Sequence, residues 1–182
     1  CNEKPISFLD ALFTSTTSVC VTGLITIVPK YQFTIVGKVV LLLLIQIGGL
    51  GIVACVAAFF MIMRRKITLK ERIVIQETYN MDSLGGLVGM VRRILLGTLA
   101  VEGAGAVLYA IQFVPDFGLL KGIWYGVFHS VSAFCNAGID ILGEDSLAKY
   151  VTNPLINITT MLLITLGGIG FTVWYDVVDN GK

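Results

Sequence analysis

The stretch STTSVCVTGL, Ser15–Leu24, decides how this chain is read. It sets hydroxyl side chains and one glycine at the threshold of a long apolar run. A second stretch, HSVSAFCNAGID, His129–Asp140, stands in the same relation to a later apolar run. The two align without a gap at a shift of 115 positions, which brings Phe13 onto Phe128, Ser15 onto Ser130, Cys20 onto Cys135 and Gly23 onto Gly138. A polar device has been built twice into an apolar background.

That background is broad. Of the 182 residues, 55% are hydrophobic and 14% charged, where a soluble domain carries about 25% charged residues. Lipid is therefore the expected solvent. Ile35–Met63 carries a single charge, Lys38, near enough to one end to snorkel. Leu155–Tyr175 carries none, and Ile94–Phe113 is a weaker third crossing with Glu102 near its middle. Each approaches or exceeds the roughly 20 apolar residues that a span needs.

Between the first crossing and Ile94 lies a basic segment, Arg64–Arg93, with Arg64, Arg65, Lys66, Lys70, Arg72, Arg92 and Arg93. The excess of cations beside membrane spans places this loop in the cytoplasm. A patch for anionic lipid or nucleic acid is the competing account, and Lys66, Lys70 and Arg72 read most simply as a solvated face. With the loop inside, both polar stretches fall on the outer side, each just before a descending span. Each also follows a short apolar stripe: Phe8, Leu9, Leu12 and Phe13 after a Ser7-x-x-Asp10 cap, and Ile123, Trp124, Val127 and Phe128. Segments of about 12 residues are too short to cross at 1.5 Å per residue and are expected to be re-entrant half-helices. The descending spans repeat as well, QIGGLG at Gln46–Gly51 against TLGGIG at Thr165–Gly170.

Irregular backbone at membrane depth is tolerated where it is buried in protein or lines water, and its carbonyls can replace the hydration of a cation. A glycine reaches left-handed conformations cheaply, which lets successive carbonyls face one axis, and the half-helix C-termini add partial negative charge. An ordinary turn glycine is the bland alternative for Gly23 and Gly138. For Thr14–Ser18 the default is capping and solvation of a helix end, and the other reading is that their hydroxyls support the loop rather than bind the ion.

Other residues carry two readings each. Glu102 is either functional or a buried carboxyl, neutral or bonded to a neighbouring helix. Gln46 reads as an interhelical hydrogen bond, and Gly48, Gly49, Gly51, Gly167, Gly168 and Gly170 as close-packing positions, with a hinge as the alternative. His129 lacks a ligand partner. Cys20 and Cys135 pack beside the loops, with a metal pair as the rival reading. The four cysteines contain no CxxC motif, which argues against a zinc or redox site. Asp140 either concentrates cations at a mouth or caps its loop. Trp124, Tyr125 and Trp174 suit interfacial anchoring. Convergent His, Asp or Cys groups of an enzyme are not apparent. A membrane scaffold would explain the basic loop but not two matched loops, and an inverted-repeat transporter would show opposite topology between the copies.

The VTGL and CNAG pairing, with the GGLG and GGIG helices, resembles the Trk/Ktr/HKT superfamily of potassium transporters, and most of all the KtrB-type membrane subunits of bacteria. The resemblance implies an all-α membrane protein of helix–pore loop–helix repeats around one pore, potassium-channel-like, of which this chain would hold one and a half to two of four. Residues 1–63 would be a first repeat without its first helix, 64–93 the cytoplasmic loop, 94–175 the second repeat and 176–182 the start of a cytoplasmic segment. The chain opens on Cys1 rather than Met, and an internal fragment is the expectation. The family likeness makes Val21, Thr22, Gly23, Asn136, Ala137 and Gly138 the filter residues. It implies potassium uptake across the bacterial plasma membrane with no cofactor, stimulation by sodium, a homodimer in lipid, and a KtrA-like cytoplasmic nucleotide-binding ring as partner, without nucleic acid. A non-conducting scaffold or another multipass cation transporter is the alternative. The gating segment of the family's third repeat has no counterpart in these residues.

Overall fold

The computed structural model describes residues 6–51, 54–55, 73–74, 77, 87–170 and 173–174. Most of the expected cytoplasmic loop 64–93, the end of the first descending span and the segment 176–182 lie outside the described residues. Among those described there are six α-helices and no strand: α1 Phe8–Val19, α2 Pro29–Gln32, α3 Ile35–Leu50, α4 Leu87–Phe117, α5 Leu119–Phe134 and α6 Pro154–Gly168, with a 3-10 turn at Ala148–Tyr150. They fall into two compact units, residues 1–49 with 101–168, and residues 50–100 with 169–182.

In the first unit, local chemistry sets the helix ends. Ser7 caps α1: its Oγ accepts from the Asp10 N–H at 3.1 Å and its hydroxyl donates to Asp10 Oδ2 at 2.7 Å. That hydroxyl also holds the Asp10 carboxyl below its ordinary range. Asn153 caps α6, accepting from the N–H groups of Leu155 and Ile156 at 3.0 and 3.2 Å, with Pro154 in the first helical position where no N–H is required. Gly118, at φ +84, is the single residue between α4 and α5. The two helices then fold back on each other. Gly122 faces the main chain of Phe113 and Val114, and Gly126 faces that of Ala106 and Ala110. Glycines spaced by one turn let helix backbones approach where water supplies no driving force.

The interior of this unit is unusually polar. Thr14, Thr17, Ser18, Glu102, His129, Ser130, Ser132 and Thr159 are buried, beside an aromatic group in which Phe113 lies 5.6 Å from Tyr109, 5.3 Å from His129 and 5.4 Å from Tyr150, ring centre to ring centre. The outside is apolar: Phe8, Leu9, Leu12, Val36, Leu43, Leu120 and Met161 are all exposed. Soluble monomers seldom expose contiguous apolar patches above a few hundred Å², and this inversion is what lipid as solvent produces.

The two half-helices differ in their surroundings. Phe13 is 39% exposed and its counterpart Phe128 is 0% exposed. Helix α4 packs behind α5, and no described element takes the same place behind α1.

In the second unit, Leu50, Ala54 and Ile94 form a small core with Cys55 and Leu95 against it. Gly97 faces the Trp174 ring, which a Cβ at Gly97 would meet at 4.0 Å.

Helix α3 ends at Leu50, inside the span read as Ile35–Met63, and α6 ends at Gly168, inside Leu155–Tyr175. Gly51 and Gly170 then adopt φ +81 and +89, and helical bonding restarts at once, with Cys55 N–H donating to the Gly51 carbonyl and Trp174 N–H to the Gly170 carbonyl. Both copies break at the same glycine of the GGxG motif. The segment bearing Glu102 is, by contrast, the one helix among the described residues long and apolar enough to cross a membrane, Val91–Phe117.

Candidate ion-binding site

Helices α1 and α5 end in the same way. In α1, the N–H of Cys20 donates to the Thr16 carbonyl at 2.8 Å and that of Thr22 to Thr17 at 3.1 Å. In α5, Cys135 donates to Val131 at 2.9 Å and Ala137 to Ser132 at 2.8 Å, with Asn136 donating to Ala133 at 3.0 Å. These are Schellman-type closures, which need one left-handed residue after the cap. Val21 (φ +47) and Asn136 (φ +59) supply it. For a β-branched residue such as valine that conformation is an outlier, and strain of this kind persists where the surroundings over-determine it.

Two residues on, Gly23 (φ +74) and Gly138 (φ +65) turn the chain left-handed again. The two glycines meet. A Cβ on Gly23 would lie 2.7 Å from the Ala137 carbonyl oxygen and 3.7 Å from Gly138 Cα, and one on Gly138 would lie 3.9 Å from Gly23 Cα. The residues read from the sequence as one site, Val21–Gly23 and Asn136–Gly138, are thus brought together at Gly23, Ala137 and Gly138. Among the described residues, no hydrogen bond ends on the main-chain carbonyls of these six. The next carbonyl, Ile139, is occupied: Ser132 Oγ donates to it at 2.5 Å.

The hydroxyls brace the helices and loops. Thr14 and Ser18 donate to the carbonyls of Asp10 and Thr14, and Ser15 to Leu12. Thr17 and Thr22 pair through their hydroxyls at 2.5 Å. Support of the loop by the hydroxyls of Thr14–Ser18 is one of their sequence readings, and Thr17 has that role; its counterpart Ser132, aligned by the 115-residue shift, was not singled out in the sequence.

The descending helices seat the half-helix ends. Gly48 lies against the Val19 carbonyl and Gly167 against the equivalent Phe134 carbonyl, both without room for a Cβ. Gly49 lies against the Cys135 side chain. Of the glycines read as packing positions, Gly48, Gly49 and Gly167 pack closely, Gly168 has only the Asn136 amide at 3.8 Å, and Gly51 and Gly170 break the helices.

Glu102 and Gln46, read separately in the sequence, are partners. Gln46 Nε2 donates to both carboxylate oxygens, at 3.0 and 3.3 Å. His129 donates through Nδ1–H to the Tyr125 carbonyl, 2.7 Å away, and sits among the rings of Tyr109, Phe113 and Phe128. It also borders a cavity of about 160 Å³ behind the second loop, with Ser132, Asp140 and Thr160. Asp140 Oδ1 accepts from the N–H groups of Leu142 and Gly143, which makes it a loop cap. Cys20, exposed, and Cys135, buried, are not joined in a disulfide. No group of three or more His, Cys, Asp or Glu among the described residues is arranged to hold a metal.

An apolar exterior, paired half-helices and a repeated descending helix define a multi-pass helical membrane protein of the transporter or channel class. Residues 1–180 match the TrkH family model, described as a cation transport protein, and the chain belongs to that family. It is 42% identical over 179 residues to Ktr system potassium uptake protein B of Bacillus subtilis, covering 98% of this chain and 40% of that protein. It is 42% identical over 172 residues to potassium/sodium uptake protein NtpJ of Enterococcus hirae, covering 94% and 38%. With Ktr system potassium uptake protein B of Vibrio alginolyticus it shares 36% over 172 residues, again 94% and 38%. The chain therefore spans about two fifths of the length of these curated relatives. Its family performs cation transport rather than catalysis, and it is an integral protein of the bacterial plasma membrane.

Proposed function

We propose that this chain contributes two segments of a potassium-selective filter to a membrane protein that takes up potassium. The observation that carries the reading is the matched pair of loops. Each has left-handed residues at equivalent positions, they touch at their glycines, and their six main-chain carbonyls accept no hydrogen bond from the described residues. Thr22, Asn136 and Gly138 are exposed and Val21 and Gly23 half-buried, so this backbone is open to an ion, and carbonyl oxygens of this kind can replace the water that a cation gives up. Val21, Thr22, Gly23, Asn136, Ala137 and Gly138 are the filter residues in this reading. The potassium uptake named for the similar proteins from Bacillus subtilis and Vibrio alginolyticus supports the ion, and the potassium/sodium name of the Enterococcus relative supports a part for sodium. The Ktr system in the names of these relatives supports a cytoplasmic regulatory partner, for which a nucleotide-binding ring beside a homodimer is the form that the family resemblance implies, and the basic composition of residues 64–93 supports an inward-facing loop for it.

The test is complementation. The intact transport protein bearing Gly23→Ser or Gly138→Ser is expressed in bacteria lacking potassium uptake, and potassium and sodium fluxes are compared. Loss of growth at low potassium, or a fall in preference for potassium over sodium, is expected. Wild-type selectivity in both variants refutes the filter and leaves the scaffold reading. A cysteine introduced between Arg64 and Arg93 is expected to react with an impermeant reagent only from the inside.

A further inference from the structure

A carboxylate near the middle of a membrane helix costs about 2.5–3.5 kcal/mol on insertion scales, so its neighbours are informative. Glu102 is 5% exposed, within α4, and holds three elements of the first unit. Its carboxylate takes Gln46 Nε2 from α3 through both oxygens. Oε1 also takes the Cys135 thiol at 4.0 Å, at the cap of α5. Its main-chain carbonyl takes Ser130 Oγ, one turn earlier in α5, at 2.6 Å. Gly49, three residues beyond Gln46, presses on the same Cys135 side chain. Cys135 is followed directly by Asn136–Gly138.

Among the described residues the clasp has no second copy. The position equivalent to Gln46 in the second copy is Thr165, and its hydroxyl bonds back to the Met161 carbonyl of its own helix. What Glu102 joins is the descending helix of the first repeat to the loop of the second.

We infer that Glu102 is a positioning residue of the ion pathway: through Gln46 and Cys135 it fixes the second loop against the first repeat, and so sets the spacing on which discrimination between potassium and sodium depends. The inference rests on the filter reading above. In the intact protein, Glu102→Gln, Gln46→Leu and Cys135→Ala are compared for potassium and sodium uptake per folded molecule. Each is expected to lower the potassium-over-sodium preference about tenfold, the equivalent of one lost hydrogen bond, with a larger change in KM for potassium than in maximal rate. Because the carboxylate and amide act as one unit, Glu102→Gln with Gln46→Leu is expected to do no more than either alone. Additive effects, or variants that change only the yield of folded protein, overturn the inference. If Glu102→Gln does not fold, Gln46→Leu and Cys135→Ala decide the matter. Selectivity lost in Gly23→Ser but kept in all three clasp variants refutes this inference alone, whereas selectivity kept in Gly23→Ser and Gly138→Ser refutes the filter beneath it.

Discussion

One added methyl group at Gly167 is expected to destabilise the first unit, and the same group at Gly103 to stabilise it. Gly167 lies in α6 against the carbonyl of Phe134, the last residue of α5, and a Cβ there would occupy the space of that oxygen. The obstacle is main chain, so no rotamer change relieves it. Overpacking of this kind reaches about 3 kcal/mol, against a gain of about 1 kcal/mol for replacing glycine by alanine within a helix. The net cost is about 2 kcal/mol. A Cβ on Gly103 in α4 would have no atom within 4 Å, so only the gain of about 1 kcal/mol remains. The separation of about 3 kcal/mol corresponds to a factor of more than 100 in the unfolding equilibrium. Denaturant titration of the purified protein in detergent, followed by tryptophan fluorescence, measures it. Gly48→Ala, against the equivalent Val19 carbonyl, is expected to follow Gly167→Ala. Equal stability of Gly167→Ala and Gly103→Ala would refute the claim that the descending helices are held at contact distance from the half-helix ends.

Val21→Asn places in the first loop the residue type that the second loop uses at φ +59. Asparagine tolerates the left-handed region, so thermal unfolding in detergent is expected to shift upward by the equivalent of about 1 kcal/mol; an unchanged or lower midpoint would contradict the assigned strain. Tyr150→Phe removes the hydroxyl that donates to Asp116 Oδ2 at 2.6 Å, beside Lys149 at 3.5 Å from the same oxygen. A cost of about 1.5 kcal/mol is expected, the low end for a bond to a charged group because Asp116 is partly solvated. Burial, and then the Asp116 carboxylate, push the Tyr150 hydroxyl well above the usual tyrosine range. A raised value means that its contribution to stability is fully present below the ordinary tyrosine pKa of 10.0 and is lost as the pH rises toward the folded value. In an alkaline absorbance titration Tyr150 is expected to ionise above the ordinary tyrosine range, and the Tyr150→Phe difference spectrum tests this.

The sequence by itself determined what is local and what is repeated. Hydropathy marked lipid as the solvent. The Ser7-x-x-Asp10 cap gave the start of α1, and the 115-residue shift matched two loops whose backbones then proved alike at Val21 and Asn136 and at Gly23 and Gly138. Such features are legible because a short segment with the same capping and turn chemistry closes its own hydrogen bonds in the same way wherever it stands. The GGxG motif was visible too, but not the division of labour within it. Whether a glycine packs or breaks a helix depends on what lies opposite, and Gly48 faces a carbonyl while Gly51 faces nothing within 4 Å. The tertiary structure alone decided the pairing of Gln46 with Glu102, 56 residues apart, and the burial of Phe128 where Phe13 is exposed. Neither has a periodic or local signature. A carboxylate in an apolar helix announces in sequence only that some partner must offset its desolvation; which donor does so is fixed by how the helices pack.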